Sequence, residues 1–194
     1  MLQTRWKRFT YRLSMIPVIV KTQWSLRHAK IGSRVRAFGK LHIQAWGTIE
    51  IGSGTCFHSG ALETELTAFA GAHLRIGKDC QINKGTVINA SLSIDIADRC
   101  QIGYGVIILD SHLHEEAVEE RHLRPKPMAV IIEEDVWLGS RVMIMPGVRI
   151  GRGSIVAAGS IVTRDVPPLS LFAGSPAKLV RSVREAKSRL AAFA

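Results

Sequence analysis

The stretch Val130–Val162, VIIEEDVWLGSRVMIMPGVRIGRGSIVAAGSIV, sets Ile132, Leu138, Ile144, Ile150, Val156 and Val162 six residues apart without exception. A small or branched residue follows four positions after most of them, at Val136, Val142, Val148, Ser154 and Ser160. On an α-helix a step of six residues rotates the side chain through about 600°. The markers would then point to three sides and bury no common face. An even period keeps side chains on one face of a strand, but strands longer than about ten residues are unusual. The Gly-charged and Gly-Ser pairs between markers look like corners, so short strands bent at every sixth residue are what remains.

The same spacing runs through Ile31, Ala37, Ile43 and Ile49, then Ile76, Ile82, Ile88 and Ile94, then Ile96, Ile102 and Ile108. Stacked as coils, such segments align aliphatic side chains into continuous ladders while backbone groups pair with the coils above and below, which makes a mainly β solenoid. Two-residue phase slips at Ile49/Ile51 and Ile94/Ile96, and the stretch Glu63–His73, are expected to be small bulges or loops on the corners. Cys56, Cys80 and Cys100 match no zinc-ligand spacing. Cys80 and Cys100 each follow an aliphatic marker by four positions and read as small core fillers rather than disulfide partners.

The length of 194 residues and a 46% hydrophobic, 22% charged composition suit one domain with short appendages. No apolar run is long enough to span a bilayer, and the first residues lack the order of an export signal, so a cytoplasmic location is expected. The net charge of +10 is unevenly distributed: residues 1–40 hold ten Lys/Arg and no acid, whereas residues 41–176 are mildly acidic. A nucleic-acid reader would carry its basic stripe on the folded body, and none is expected here. Basic ends suit a phosphate-bearing ligand or an anionic surface.

The ending VIIEEDVWLGSRVMIMPGVRIGRGSIVAAGSIVTRDVPPLSLFAGSPAKLVR resembles the hexapeptide-repeat acyltransferases, in particular sugar O-acetyltransferases of the galactoside and maltose type and those of polysaccharide synthesis. The resemblance covers about residues 31–181. It implies a left-handed parallel β-helix, a homotrimer with active sites between subunits, and acetyl-CoA as acyl donor. The handedness comes from the resemblance alone, since parallel crossovers are ordinarily right-handed.

Between residues 109 and 128 the repeat stops for a stretch rich in His and carboxylates, and a long excursion from an economical fold is more often functional than not. The motif DSHLH at Asp110–His114 is similar to the family's base-bearing stretch, which implies His114 as general base. His112 stands where the family has a second Asp and is the alternative. Removing a proton from a hydroxyl at neutral pH suits imidazole, and Asp110, Glu115, Glu116, Glu119 or Glu120 are candidates to orient the ring. Gly139 is expected to let a ligand approach the backbone. The resemblance further implies donor contacts at Ser140, Ala158, Thr163, Arg164 and Trp137, CoA phosphates at Lys178 and Arg181, and an acceptor-facing Asn83. No metal is expected.

Residues 177–194 place Leu179, Val183, Ala186, Leu190 and Phe193 at helical spacing, so a C-terminal helix is expected to cap the solenoid. Residues 1–30 interleave aromatics with seven bases, and Pro17 breaks any long helix there. This segment suits peripheral attachment at the inner face of the cytoplasmic membrane or packing on a neighbouring subunit. The acceptor is expected to be a sugar or sugar conjugate in surface polysaccharide or lipopolysaccharide synthesis. The alternatives are an amino-sugar nucleotide or antibiotic hydroxyl, a zinc enzyme of the same fold, against which His112, His114 and His122 all fall within one loop rather than on adjacent coils, or a scaffold without activity.

Overall fold

In the computed structural model, which describes residues 16–115 and 117–183, the six-residue markers stand in three vertical ladders. Ile31, Ile51, Ile76, Ile96, Ile132 and Ile150 are in register on the first face. Ala37, Phe57, Ile82, Ile102, Leu138 and Val156 form the second, and Ile43, Leu66, Ile88, Ile108, Ile144 and Val162 the third. All these strand pairings are parallel, and they wind the chain into a β-solenoid of about six turns, in agreement with the expected β-helix. Ile82, Ile88, Ile94, Ile96, Ile102 and Ile108 are all 0% exposed. At about 1.5–3 kcal/mol per fully buried aliphatic side chain, the ladders are the main source of cohesion.

Corners hold the short strands at fixed angles. After the first face each coil turns through a residue with positive φ: Arg34, Gly54, Asp79, Arg99, Asp135, Gly153 and Leu169, with φ between 54° and 80°. Five of the seven carry a side chain, a conformation that costs about 1–2 kcal/mol each, so the stacked coils must hold them there.

The phase slips are not bulges. Ile49 and Ile51 both point inward from the one strand Thr48–Ile51, as do Leu74 and Ile76 from His73–Ile76, and Ile94 and Ile96 from Ser93–Ile96. Alternation over four residues gives the first face two inward positions instead of one. Nor is Glu63–His73 a loop: its first half belongs to the strand Cys56–Ala68, which pairs with Val87–Ala90, and only Phe69–Ala72 turns, closed by the Ala72 N–H donating to the Phe69 carbonyl at 2.9 Å. The register does shift around Gly39, between Arg36–Ala45 and Cys56–Ala68.

Each end is covered in part. The helix Ile16–Ser25 packs on the strand Arg36–Ala45 of its own chain, with Thr22 and Leu26 buried. Pro17 sits in its first turn, where a missing N–H costs nothing. The Thr22 hydroxyl donates to the Val18 carbonyl at 2.7 Å and accepts the Ala37 N–H at 2.9 Å, tying helix to first coil. Residues 1–15 of the basic segment lie outside the described residues. At the other end the expected helix is not found over Ala177–Ser182, which form a strand antiparallel to Ser170–Gly174; the rest of that expectation, residues 184–194, lies outside the described residues.

The three cysteines are buried and free, Cys80 and Cys100 donating to the Ala97 and Glu133 carbonyls of the next coil at 3.2 and 3.1 Å. Outward on the first face Lys30, Glu50, Arg75 and Asp95 alternate in sign from rung to rung. Above them Glu133 accepts the Arg152 backbone N–H and the Arg149 guanidinium, both at 2.8 Å, which hold its carboxyl below the usual glutamate range.

Ile102→Ala, at the middle of a ladder, should cost about 2–5 kcal/mol in denaturant unfolding. The lowered Glu133 pKa contributes stability above the ordinary glutamate value of about 4.3, lost as pH falls through the folded value. The stability difference between parent and Glu133→Gln should therefore be positive at pH 7 and shrink toward zero below about pH 4.

Candidate active site

Between the second and third faces the coils turn at Asn83–Thr86, Gly103–Gly105, Gly139–Arg141 and Ala157–Gly159. A groove of about 700 Å³ runs up this corner, lined among others by Asn83, Tyr104, Trp137, Ser140, Ala158 and Arg181. Thus six of the residues singled out from sequence, Gly139 among them, come together. Trp137 projects outward from the strand Trp137–Leu138, between the Gln101 and Ile155 rungs, with 54% of its surface exposed. The Ser140 and Ala158 N–H groups donate to no acceptor among the described residues, while the Gly139 and Gly159 N–H groups are taken by the Val156 and Ser140 carbonyls at 2.8 Å. Such free amides suit the amides of an extended ligand or a developing oxyanion.

Gly139 also lines the groove, and its missing Cβ has a second use. A Cβ there would lie 2.6 Å from the Ala158 backbone nitrogen. Glycine is required so that the next coil can stack, and the groove is open because the corners above it carry only Ser140 and Ala158.

The Asn83 side-chain amide donates to the Ile102 carbonyl at 3.0 Å, which fixes it at the groove's lower end. Tyr104, which the sequence reading missed, lies one coil above, with Lys84 5.7 Å and Arg141 5.8 Å from its ring centroid. An aromatic at a corner among bases was its only signal. Arg181 reaches the groove from the terminal strand; Lys178 on the same strand is exposed and does not line it. Thr163 and Arg164 lie on the third corner, just after Ile161–Val162, also outside the groove.

The excursion leaves that third corner, after the strand Ile107–Leu109, and returns at Val130–Ile132. Its neck is closed by the Met128 N–H donating to the Asp110 carbonyl at 2.7 Å. The Asp110 side chain, 0% exposed, accepts the Ser91, Leu92 and Ser93 N–H groups at 2.7–2.8 Å. It therefore anchors the loop to the preceding corner and does not orient a histidine. Among the described residues the glutamates do not orient one either; Glu116 lies outside them.

His114 is positioned by a backbone group instead. Its Nδ1 is 2.8 Å from the Arg121 carbonyl oxygen. A carbonyl only accepts, so Nδ1 carries the hydrogen and Nε2 of the neutral ring keeps its lone pair. His112 is exposed and makes no hydrogen bond among the described residues. His122 is exposed too, and no group of three metal-ligating side chains occurs among the described residues. Neither His112 nor His114 lines the groove of its own chain.

A family model described as bacterial transferase hexapeptide (six repeats) matches residues 129–164. The chain is 35% identical over 136 residues to a Saccharomyces cerevisiae protein assigned as an acetyltransferase, covering 70% of this chain and 69% of that one. It is 33% identical over 117 residues to the galactoside O-acetyltransferase of Escherichia coli, and the match spans 59% of this chain but only 57% of that enzyme. The solved hexapeptide-repeat acetyltransferase of Vibrio cholerae, in complex with acetyl-CoA, aligns with a TM-score of 0.60 at 33% identity over 70% of this chain and 71% of that one.

Replacing Asp110 by alanine would leave three backbone donors without their acceptor. The expected cost is about 2–4 kcal/mol in denaturant unfolding, together with faster proteolysis within residues 110–128.

Proposed function

We infer that this chain, which belongs to the hexapeptide-repeat acyltransferases and uses acetyl-CoA as donor, acetylates a hydroxyl of a sugar or sugar conjugate in surface polysaccharide or lipopolysaccharide synthesis. The observation that carries the base assignment is the Arg121 carbonyl on His114 Nδ1, which directs an unprotonated Nε2 away from the loop backbone. His114 takes the proton of the acceptor hydroxyl as its oxygen attacks the thioester carbonyl. The oxyanion is held by donors of the groove, with Ser140 nearest the thioester. Its collapse expels the CoA thiolate, which receives the proton from the imidazolium.

The pantetheine arm lies along Trp137, Ser140 and Ala158, and the CoA phosphates meet Arg181 and Lys178. Asn83 faces the acceptor. Because loop and groove occupy different corners of one chain, His114 serves the groove of a neighbouring copy in a homotrimer. Thr163 and Arg164 share the loop's corner and reach the donor from the same neighbour. Assembly is then a condition of activity.

Peripheral attachment to the inner face of the cytoplasmic membrane is part of the same reading. The helix Ile16–Ser25 presents Val20 and Trp24, 61% and 69% exposed, and Arg27 stands 4.6 Å from the Trp24 ring. An aromatic beside a base suits an anionic interface. No helix among the described residues is long and apolar enough to cross a membrane.

The test is release of CoA thiol from acetyl-CoA in the presence of a panel of sugars. His114→Ala should lower kcat/KM by about 10²–10⁴, and His112→Ala should stay within a few-fold of the parent. A dead His112→Ala beside an active His114→Ala would reverse the assignment of the base, and a parent inactive on every sugar would remove the acceptor class.

A further inference from the structure

The third corner lies beside the root of the excursion. Trp46 stands there 62% exposed, where the solenoid asks for no apolar side chain. Its ring stacks on Phe69, the corresponding corner of the next coil, with centroids 5.8 Å apart and planes 16° from parallel. Arg124, delivered by the excursion, places its guanidinium carbon 5.6 Å from the Phe69 centroid. With Ser91, Ser111 and Pro125 these groups line a cavity of about 540 Å³.

The chemistry of that lining is selective. Two stacked aromatic rings offer a flat apolar platform with no hydrogen-bonding demand of its own, suited to the C–H face of a pyranose, while serine hydroxyls beside it meet ring hydroxyls. A guanidinium recognises carboxylate or phosphate through a pair of parallel hydrogen bonds. Among the described residues no carboxylate lines the cavity and Arg124 forms no ion pair. The nearby Asp110 is fully buried with its oxygens on three backbone N–H groups. Ser111 and Arg124 belong to the excursion that carries His114, so a ligand held here rests against the element that carries the base.

We propose that this cavity binds the acceptor and that the acceptor is an anionic sugar, bearing a carboxylate or a phosphate that Arg124 engages while Trp46 and Phe69 support the ring. The word acceptor rests on the sugar-acetylation reading above; the binding site does not. Trp46 and Arg124 are specificity-determining residues in this scheme and take no part in proton transfer.

The experiment uses the full chain and three probes: methyl glucuronide, glucose 1-phosphate and methyl glucoside. Binding is followed by titration calorimetry without CoA, and transfer by thiol release with acetyl-CoA. At least one charged probe should bind about tenfold or more tightly than the neutral one, in keeping with a charge-assisted hydrogen-bonded pair. The tighter of the two identifies carboxylate or phosphate as the recognised group. Arg124→Gln should bring that ratio to within about twofold, Trp46→Ala should weaken all three probes, and Trp46→Phe should restore them. Equal binding of the three probes by the parent, or an unchanged ratio in Arg124→Gln, overturns the proposal whether or not acetyl is transferred. Selective binding with no transfer to any sugar supports this site and removes the sugar-acetylation reading. Transfer without charge preference does the reverse.

Discussion

Every part of this molecule depends on inward side chains stacking in register from one coil to the next. A strand of two or three residues has almost no stability alone, so each is held by the rungs above and below it and by the aliphatic ladder behind it. That dependence explains the cost the chain accepts at its corners. Arg34, Asp79, Arg99, Asp135 and Leu169 adopt left-handed backbone geometry because a corner displaced by one residue would turn a buried isoleucine outward.

The ladders were legible in the sequence because their spacing is rigid: Ile132, Leu138 and Ile144 could serve no helix. The errors arose where two structures share one pattern. An inward pair such as Ile94 and Ile96 looks like a slipped repeat when it is a longer strand, and Leu179 with Val183 has helical spacing over residues whose first part pairs as a strand. In the second case an unpaired sheet edge on Ser170–Gly174 outweighed a weak local preference, as tertiary context commonly does.

The candidate site was legible as a set of residues but not as an arrangement. Asn83, Trp137, Ser140, Ala158 and Arg181 converge on one groove because equivalent corner positions stack. Thr163, Arg164, His112 and His114 sit at another corner, which the sequence does not reveal since each coil visits all three. By sequence Asp110 is a candidate to orient a histidine, yet it fastens a backbone, and Gly139 makes room for the next coil as well as for the groove. Tyr104 and Arg124 escaped notice because single aromatic and basic residues at corners carry no periodic signal.

The helix at one extremity and the reversed strand at the other do more than tidy the stack. A bare terminal rung of a parallel spiral is a template on which another molecule's first rung would nucleate, head to tail, into a fibre without limit. Ile16–Ser25 obstructs the lower template along Arg36–Ala45, and Ala177–Ser182, running against the grain, gives the second face at the upper end the wrong polarity. Growth along the axis is thereby disfavoured on the faces that these two elements protect.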